Sequence, residues 1–112
     1  MNMNVTEIAG GITHVVLDGR LDIAGAQEID LPFATLSNSK DKLLVDLAKV
    51  DFIASMGVRT LMFGGKAIAR KGGHIVICSP EENVEKVLRM TGLDEVITIY
   101  PDYSSALAAL SA

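Results

Sequence analysis

The sequence predicts one α/β domain with a mostly parallel central β-sheet, an N-terminal antiparallel strand and about four helices packed on the sheet. The chain has 112 residues, which suffice for one domain and are too few for two. Hydrophobic residues make up 49% of it and aromatic residues only 4%, so the core should be aliphatic. Strand patterns alternate with helix patterns along most of the chain, which is typical of parallel strands joined by right-handed helical crossovers.

The N-terminal third begins with a strand–turn–strand pattern. Apolar segments at residues 3–9 and 12–17 flank the pair Gly10-Gly11, which predicts two strands joined by a turn. Residues 22–39 then have a helical pattern, with an inward stripe formed by Ile23, Ala26 and Ile29. Pro32 lies inside this segment and predicts a kink or a restart of the helix.

The rest of the chain alternates between strand and helix. Apolar strand patterns lie at residues 43–47, 75–78 and 96–100. Helix patterns follow each strand, at residues 56–71, in a segment that ends at Gly92, and at residues 102–110. Ser79-Pro80-Glu81-Glu82 has the composition of a capping box, which predicts that Ser79 caps the helix ending at Gly92.

Charge and hydropathy exclude several classes of partner. The net charge is −4 and no basic stripe is present, so we expect no binding to nucleic acid. No apolar segment approaches the length of a membrane span, and the N-terminus lacks the layout of a signal peptide, which predicts a cytoplasmic protein without membrane contact. Cys78 is the single cysteine and should be a buried, unreactive thiol.

No pattern in the chain indicates catalysis. The segment 53–57 contains Ser55 but lacks the first glycine of the hydrolase motif Gly-x-Ser-x-Gly. Both histidines, His14 and His74, lie in predicted strands, and no group of side chains has the spacing of metal ligands. No glycine-rich phosphate-binding fingerprint is present. We therefore expect a protein that is not an enzyme and holds no cofactor and no metal.

Ser55 is the residue on which a functional hypothesis can be built. It follows the strand at residues 43–47 and a short loop, at the first turn of the next helix. This places its hydroxyl near the surface, at the positive end of a helix dipole, where phosphate is favoured. In the simpler interpretation Ser55 is an N-cap that accepts a hydrogen bond from the amide of Gly57 or Val58 and stabilises the helix by roughly 1 kcal/mol. The two interpretations are compatible.

The helix after Ser55 has a second apolar stripe, opposite its predicted core face. The stripe consists of Met56, Thr60, Phe63 and Ala67, and it is bordered by Arg59, Lys66 and Arg70. Either another element of the domain covers this stripe, or it is a docking surface for a partner.

Four segments together resemble the anti-sigma-factor antagonists, the stand-alone bacterial members of the STAS superfamily. The strongest is 44–57, where an apolar strand ending in Asp-Leu leads into a serine shortly before a glycine. Gly19-Arg20-Leu21-Asp22 is similar to the family's Gly-x-Leu-Asp. Gly72-Gly73 with the strand up to Cys78, and Met90-Thr91-Gly92-Leu93, complete a resemblance that spans nearly the whole chain.

The resemblance implies a role in partner switching. In this family the unphosphorylated antagonist binds an anti-sigma factor that is also a serine kinase, and thereby releases the sigma factor. The kinase phosphorylates the antagonist on the serine after the third strand, here Ser55, and a PP2C-type phosphatase removes the phosphate. Asp22 matches an acidic residue near that serine. The implied contact surface comprises Asp22, Met56, Gly57, Thr60 and Phe63.

Ala54 and Met56 depart from the family pattern, which often has Asp before the serine and Ser or Thr after it. A second function within the superfamily therefore stays open, namely a scaffold or regulatory subunit of a transport or sensory complex without a sigma factor. An alternative of another class is a small nucleotide- or metabolite-binding protein or a weak enzyme. The absence of a phosphate loop and of an acid–base cluster argues against it.

Overall fold

Five strands form one mixed sheet in the order β1-β2-β3-β4-β5. The computed structural model describes residues 1–112. The strands are β1 (Asn2–Ile8), β2 (Ile12–Leu21), β3 (Lys42–Ile53), β4 (His74–Cys78) and β5 (Thr98–Tyr100). The helices are α1 (Ile23–Ser39), α2 (Ser55–Arg70), α3 (Glu82–Met90) and α4 (Tyr103–Ser111), with a short 3₁₀ helix at Leu93–Glu95. β1 is antiparallel to β2 and all other neighbours are parallel, which confirms the predicted fold class.

The helices cover the two faces of the sheet unequally. One face carries α1, α2 and α3 over a core of 19 buried residues that includes Leu17, Leu47 and Leu61. The other face carries α4 alone over six buried residues, among them Cys78 and Leu110. Phe33 is the only aromatic residue of the mainly aliphatic core, as the composition predicts.

β2 and β3 are both longer than the sequence predicts. The predicted strands stop at residues 17 and 47, whereas the observed ones continue to Leu21 and Ile53. Polar residues and register irregularities between Val16 and Arg20 interrupt the apolar pattern there, so periodicity alone misses the extension. The extra residues carry both strands to the edge of the sheet where α1 and α2 begin.

The structure corrects the prediction for α1. The helix runs without a break from residue 23 to residue 39 although Pro32 lies inside it. Pro32 is exposed, and the inward residues Ile29 and Phe33 on either side of it are buried, so packing keeps the helix continuous. Ile23, which we expected on the inward stripe, is 59% exposed.

The predicted capping box at Ser79 is wrong. α3 begins at Glu82, its N-cap is Glu81, and no side chain makes a cap hydrogen bond. Ser79 instead has a φ of +59° and donates its amide to the carbonyl of Tyr100 at 3.1 Å. The residue therefore ends the strand pairing of β4 with β5 rather than starting a helix.

Candidate functional site

The ends of β2 and β3 bring Asp22 and Ser55 to the same edge of the sheet. Leu21 and Ile53, the last residues of the two strands, are paired neighbours. The amide of Ala54 continues the pairing by donating to the carbonyl of Leu21 at 2.9 Å. Asp22 is the N-cap of α1, and Ser55 is the first residue of α2. Two helix N-termini thus lie side by side at this edge.

Ser55 is exposed, and its hydroxyl makes no hydrogen bond with the protein. The simpler interpretation, in which Ser55 is the N-cap of the helix, is wrong because Ala54 occupies that position. The amides of Gly57 and Val58 donate to the carbonyl of Ala54, at 2.9 and 3.1 Å, so neither is available to the serine hydroxyl. The hydroxyl therefore has no structural role in the first turn.

Gly57 sets how closely α2 approaches β2. A Cβ on this residue would lie 2.6 Å from Cγ of Leu21 and 2.8 Å from its carbonyl oxygen. Gly57 is buried, so its contribution to any docking surface is to position its exposed neighbours.

Asp22 is half-buried and caps α1 with its side chain. Its Oδ1 accepts a hydrogen bond from the amide of Gly25 at 2.8 Å. This hydrogen bond, together with the guanidinium of Arg20 at 3.7 Å from Oδ2, lowers the pKa of Asp22. The carboxylate is therefore charged at neutral pH beside the start of α2.

A cleft between α1 and α2 begins at Met56, the residue that follows Ser55. It has a volume of about 230 Å³ and is lined by Ala26, Gln27, Asp30, Met56, Arg59, Thr60 and Phe63. The Thr60 hydroxyl lies 3.1 Å from the carbonyl oxygen of Met56 and 3.3 Å from Oδ1 of Asp30, so its one proton is shared between α2 and α1.

The second apolar stripe of α2 is covered only in part. α1 covers Thr60, which is 6% exposed, but leaves Met56 at 37% and Phe63 at 55% exposed. Another element of the domain therefore covers part of the stripe, as one alternative expected. The exposed part, Met56 and Phe63, leaves the open apolar surface that the other alternative requires.

Sequence reasoning missed several neighbours of this surface. The guanidinium of Arg20 lies 4.3 Å from the ring centre of Phe52, and that of Arg59 lies 5.0 Å from the ring centre of Phe63. The exposed Ile23 lies next to Asp22. The spacing of Arg59 and Phe63, one helical turn apart, was a signal for the second stack, whereas the first depends on the β2–β3 register.

The comparisons with known proteins identify the family. The STAS domain family matches residues 4–106. The chain belongs to the STAS family. Its relatives include BtrV of Bordetella bronchiseptica, provisionally named as an anti-sigma factor antagonist, which is 25% identical over 103 residues, or 91% of this chain and 86% of BtrV. The anti-sigma F factor antagonist of Paenibacillus polymyxa is 26% identical over 98% of this chain and 97% of its own length.

Solved STAS structures have the same fold. A Thermotoga maritima protein with the same provisional name as BtrV superimposes with a TM-score of 0.89 at 25% identity, over 98% of this chain and 95% of that one. An anti-sigma-factor antagonist domain protein from Planctomyces limnophilus gives 0.88 at 28% identity, over 98% of both chains. Part of a murine anion transporter, solute carrier 26 family member A9, gives 0.75 at 16% identity, over 89% of this chain and 18% of the transporter, so that similarity concerns the fold alone.

STAS proteins of the antagonist class are binding proteins, so this STAS domain is not an enzyme. No helix in it has the length and apolar character needed to cross a lipid bilayer.

Proposed function

We propose that this STAS domain is an anti-sigma factor antagonist that binds an anti-sigma factor with serine kinase activity and is switched off by phosphorylation of Ser55. A PP2C-type phosphatase returns it to the binding state. The observation that carries the proposal is the exposed hydroxyl of Ser55, which makes no hydrogen bond and borders an open apolar surface. The names of the Bordetella and Paenibacillus relatives support the coarser statement that the partner is an anti-sigma factor.

The proposed contact surface consists of Asp22, Met56, Gly57, Thr60 and Phe63. Met56 and Phe63 supply its exposed apolar area, and Asp22 supplies a charge at its edge. Gly57 and Thr60 lie beneath and set the position of α2 against β2 and α1. Thus two residues would contact the partner through apolar area, and two would shape the surface that it meets.

Phosphorylation would abolish binding without unfolding the domain. A phosphoserine adds about −1.5 to −2 charges at neutral pH. The start of α2 tolerates this charge because Ser55 is the first residue of the helix, where the backbone amides have no intrahelical acceptor and the helix dipole is positive. A partner packed on the bare hydroxyl would have to desolvate the phosphate beside the carboxylate of Asp22. A loss of about 3 kcal/mol raises the Kd by more than a hundredfold.

The test uses wild-type protein, Ser55→Ala and Ser55→Asp as immobilised baits, with Ser104→Asp as the matched control. Ser104 is an exposed serine in the first turn of α4, on the opposite side of the sheet. We expect wild type, Ser55→Ala and Ser104→Asp to capture an ATPase of the anti-sigma factor type, and Ser55→Asp to capture at least tenfold less. The captured kinase with ATP should phosphorylate wild type and not Ser55→Ala. Ser55→Ala should unfold within about 0.5 kcal/mol of wild type, because its hydroxyl makes no bond.

A scaffold or regulatory subunit of a transport or sensory complex is the second candidate. The observation that favours it is the pair Ala54 and Met56, which replaces polar residues of the antagonist pattern on both sides of Ser55. Capture of transporter or sensory subunits, equal for all four baits, would support this candidate and contradict the phosphorylation switch.

A further inference from the structure

Arg59 is the nearest cation to Ser55 on the same helix face. The two residues are four positions apart in α2, and residues at this spacing have Cβ atoms about 5–6 Å apart on one side of a helix. Both side chains are exposed, so an arginine at this position can reach a group attached to the serine oxygen. An acidic group one turn N-terminal to a basic one is also the favourable order for a helical ion pair.

Arg59 has no carboxylate partner. The ion pairs of the domain involve Arg20, Lys40, Lys86, Arg89, His14 and the N-terminal amine, but not Arg59. Its guanidinium lies 5.0 Å from the ring centre of Phe63, where the interaction is a cation–π contact. At an exposed site such a contact is weak, whereas the hydrogen bonds between a guanidinium and a phosphate are charge-assisted, so a phosphoryl dianion within reach can compete for the guanidinium.

We propose that Arg59 is the intramolecular partner of the phosphoryl group on Ser55, and that forming this pair removes the guanidinium from the ring of Phe63. The inference rests on the proposed function, because it concerns the same serine. It adds a second effect of phosphorylation: the modification changes the docking surface as well as its charge. Arg59, Met56 and Phe63 all line the cleft, so moving Arg59 changes the shape of the apolar surface that a partner would meet.

Arg20 is the competing cation. Its guanidinium is held by the ring of Phe52 and lies near Asp22, at the end of β2. Arg20 therefore already interacts with a carboxylate, whereas Arg59 does not. The helical spacing also fixes Arg59 on the face of Ser55, while Arg20 belongs to the neighbouring strand. For these two reasons the phosphate is assigned to Arg59.

The experiment incorporates phosphoserine at position 55 during translation, so that no kinase or partner is needed. Phosphorus NMR then measures the second pKa of the phosphate at low salt, because exposed pairs are screened by ions. We expect this pKa in wild type to be about 0.3 unit below that in Arg59→Gln, a twofold change in proton affinity. Lys66→Gln is the matched control, since it removes the same charge from an exposed position of α2 farther from Ser55.

Proton NMR of Phe63 supplies the second measurement. Contacts between the guanidinium side chain and the ring should be present in the unphosphorylated protein and weakened by phosphoserine at position 55. Equal phosphate pKa values in wild type and Arg59→Gln, or a shift found only with Arg20→Gln, would overturn the proposal. Because the phosphate is installed by translation, these results do not depend on the bait experiment. Failure of that experiment would instead contradict the proposed function.

Discussion

At the level of single residues, Asp22 combines a structural role, as a helix cap, with a place in the proposed docking surface. Its carboxylate caps α1 through the amide of Gly25, and it lies at the edge of the proposed docking surface. The resemblance to the antagonist family drew attention to Asp22 only as an acidic neighbour of Ser55. The structure adds the cap, so a substitution at Asp22 changes the stability of the domain as well as any binding.

We expect Asp22→Ala to lower stability and Asp22→Asn to recover most of the loss, since Asn also accepts a cap hydrogen bond. The contribution of the Asp22 carboxylate to the free energy of unfolding depends on pH, because its pKa is lowered in the folded state. The hydrogen bond from the Gly25 amide is the main cause, and the charge of Arg20 adds to it. A lowered folded pKa means that this contribution is complete above the unfolded value of about 3.9 and is lost as the pH falls through the folded pKa.

Urea unfolding of wild type and Asp22→Ala between pH 7 and pH 2 measures this effect. The difference in unfolding free energy should be constant at neutral pH and should shrink below about pH 4. A difference that stays constant down to pH 2 would show that the carboxylate charge does not contribute.

At the level of elements, the sequence predicted where strands and helices lie and predicted their ends poorly. The apolar runs 43–47 and 75–78 are buried in β3 and β4, so their hydrophobicity alone was enough to identify them as strands. The extensions of β2 and β3 depend on pairing with each other, which a single strand's pattern does not contain. These extensions build the site, and the contact between Leu21 and Gly57 was therefore beyond sequence reasoning.

The N-cap of α2 was also predicted wrongly, because strand pairing outweighs the local preference of one residue. Serine is a preferred N-cap residue, yet the neighbouring Ala54 takes the N-cap position of α2. The amide of Ala54 is fixed there by its hydrogen bond to the carbonyl of Leu21. Cap preference is worth only about 1 kcal/mol, so strand pairing overrides it.

Pro32 offers a test of how tertiary packing overrides local preference in α1. Proline inside a helix removes one backbone hydrogen bond and crowds the preceding turn, at a cost of about 3 kcal/mol that is partly offset by a stiffer unfolded chain. We expect Pro32→Ala to raise the free energy of unfolding by about 1–3 kcal/mol in urea titrations followed by circular dichroism.

The control for this variant is Pro80→Ala. Pro80 lies in the loop before α3, where its loss only loosens the unfolded chain and should lower stability by up to about 1 kcal/mol. Loss of stability in Pro32→Ala would mean that the ring of Pro32 makes packing contacts that outweigh the missing hydrogen bond.

At the level of the whole molecule, the two cores should open independently. α4 alone covers the smaller core, whereas three helices and a larger set of buried residues protect the other face. Cys78 lies in the smaller core, and burial raises the pKa of its thiol to about 11. At pH 8 only about one thiol in a thousand would be ionised, so the native protein should react slowly with thiol reagents.

Leu110→Ala and Leu61→Ala distinguish local from global opening. Each removes a buried leucine side chain, from the smaller and the larger core respectively, and each should cost about 2–5 kcal/mol. In Leu110→Ala the lost free energy weakens the packing of α4 against the sheet. Local opening of α4 should then expose Cys78, and the thiol should react faster than global unfolding alone would allow. In Leu61→Ala its reactivity should follow the global unfolding equilibrium. Thiol labelling at increasing urea, compared with circular dichroism on the same samples, measures both, and identical behaviour of the two variants would mean that the cores open together.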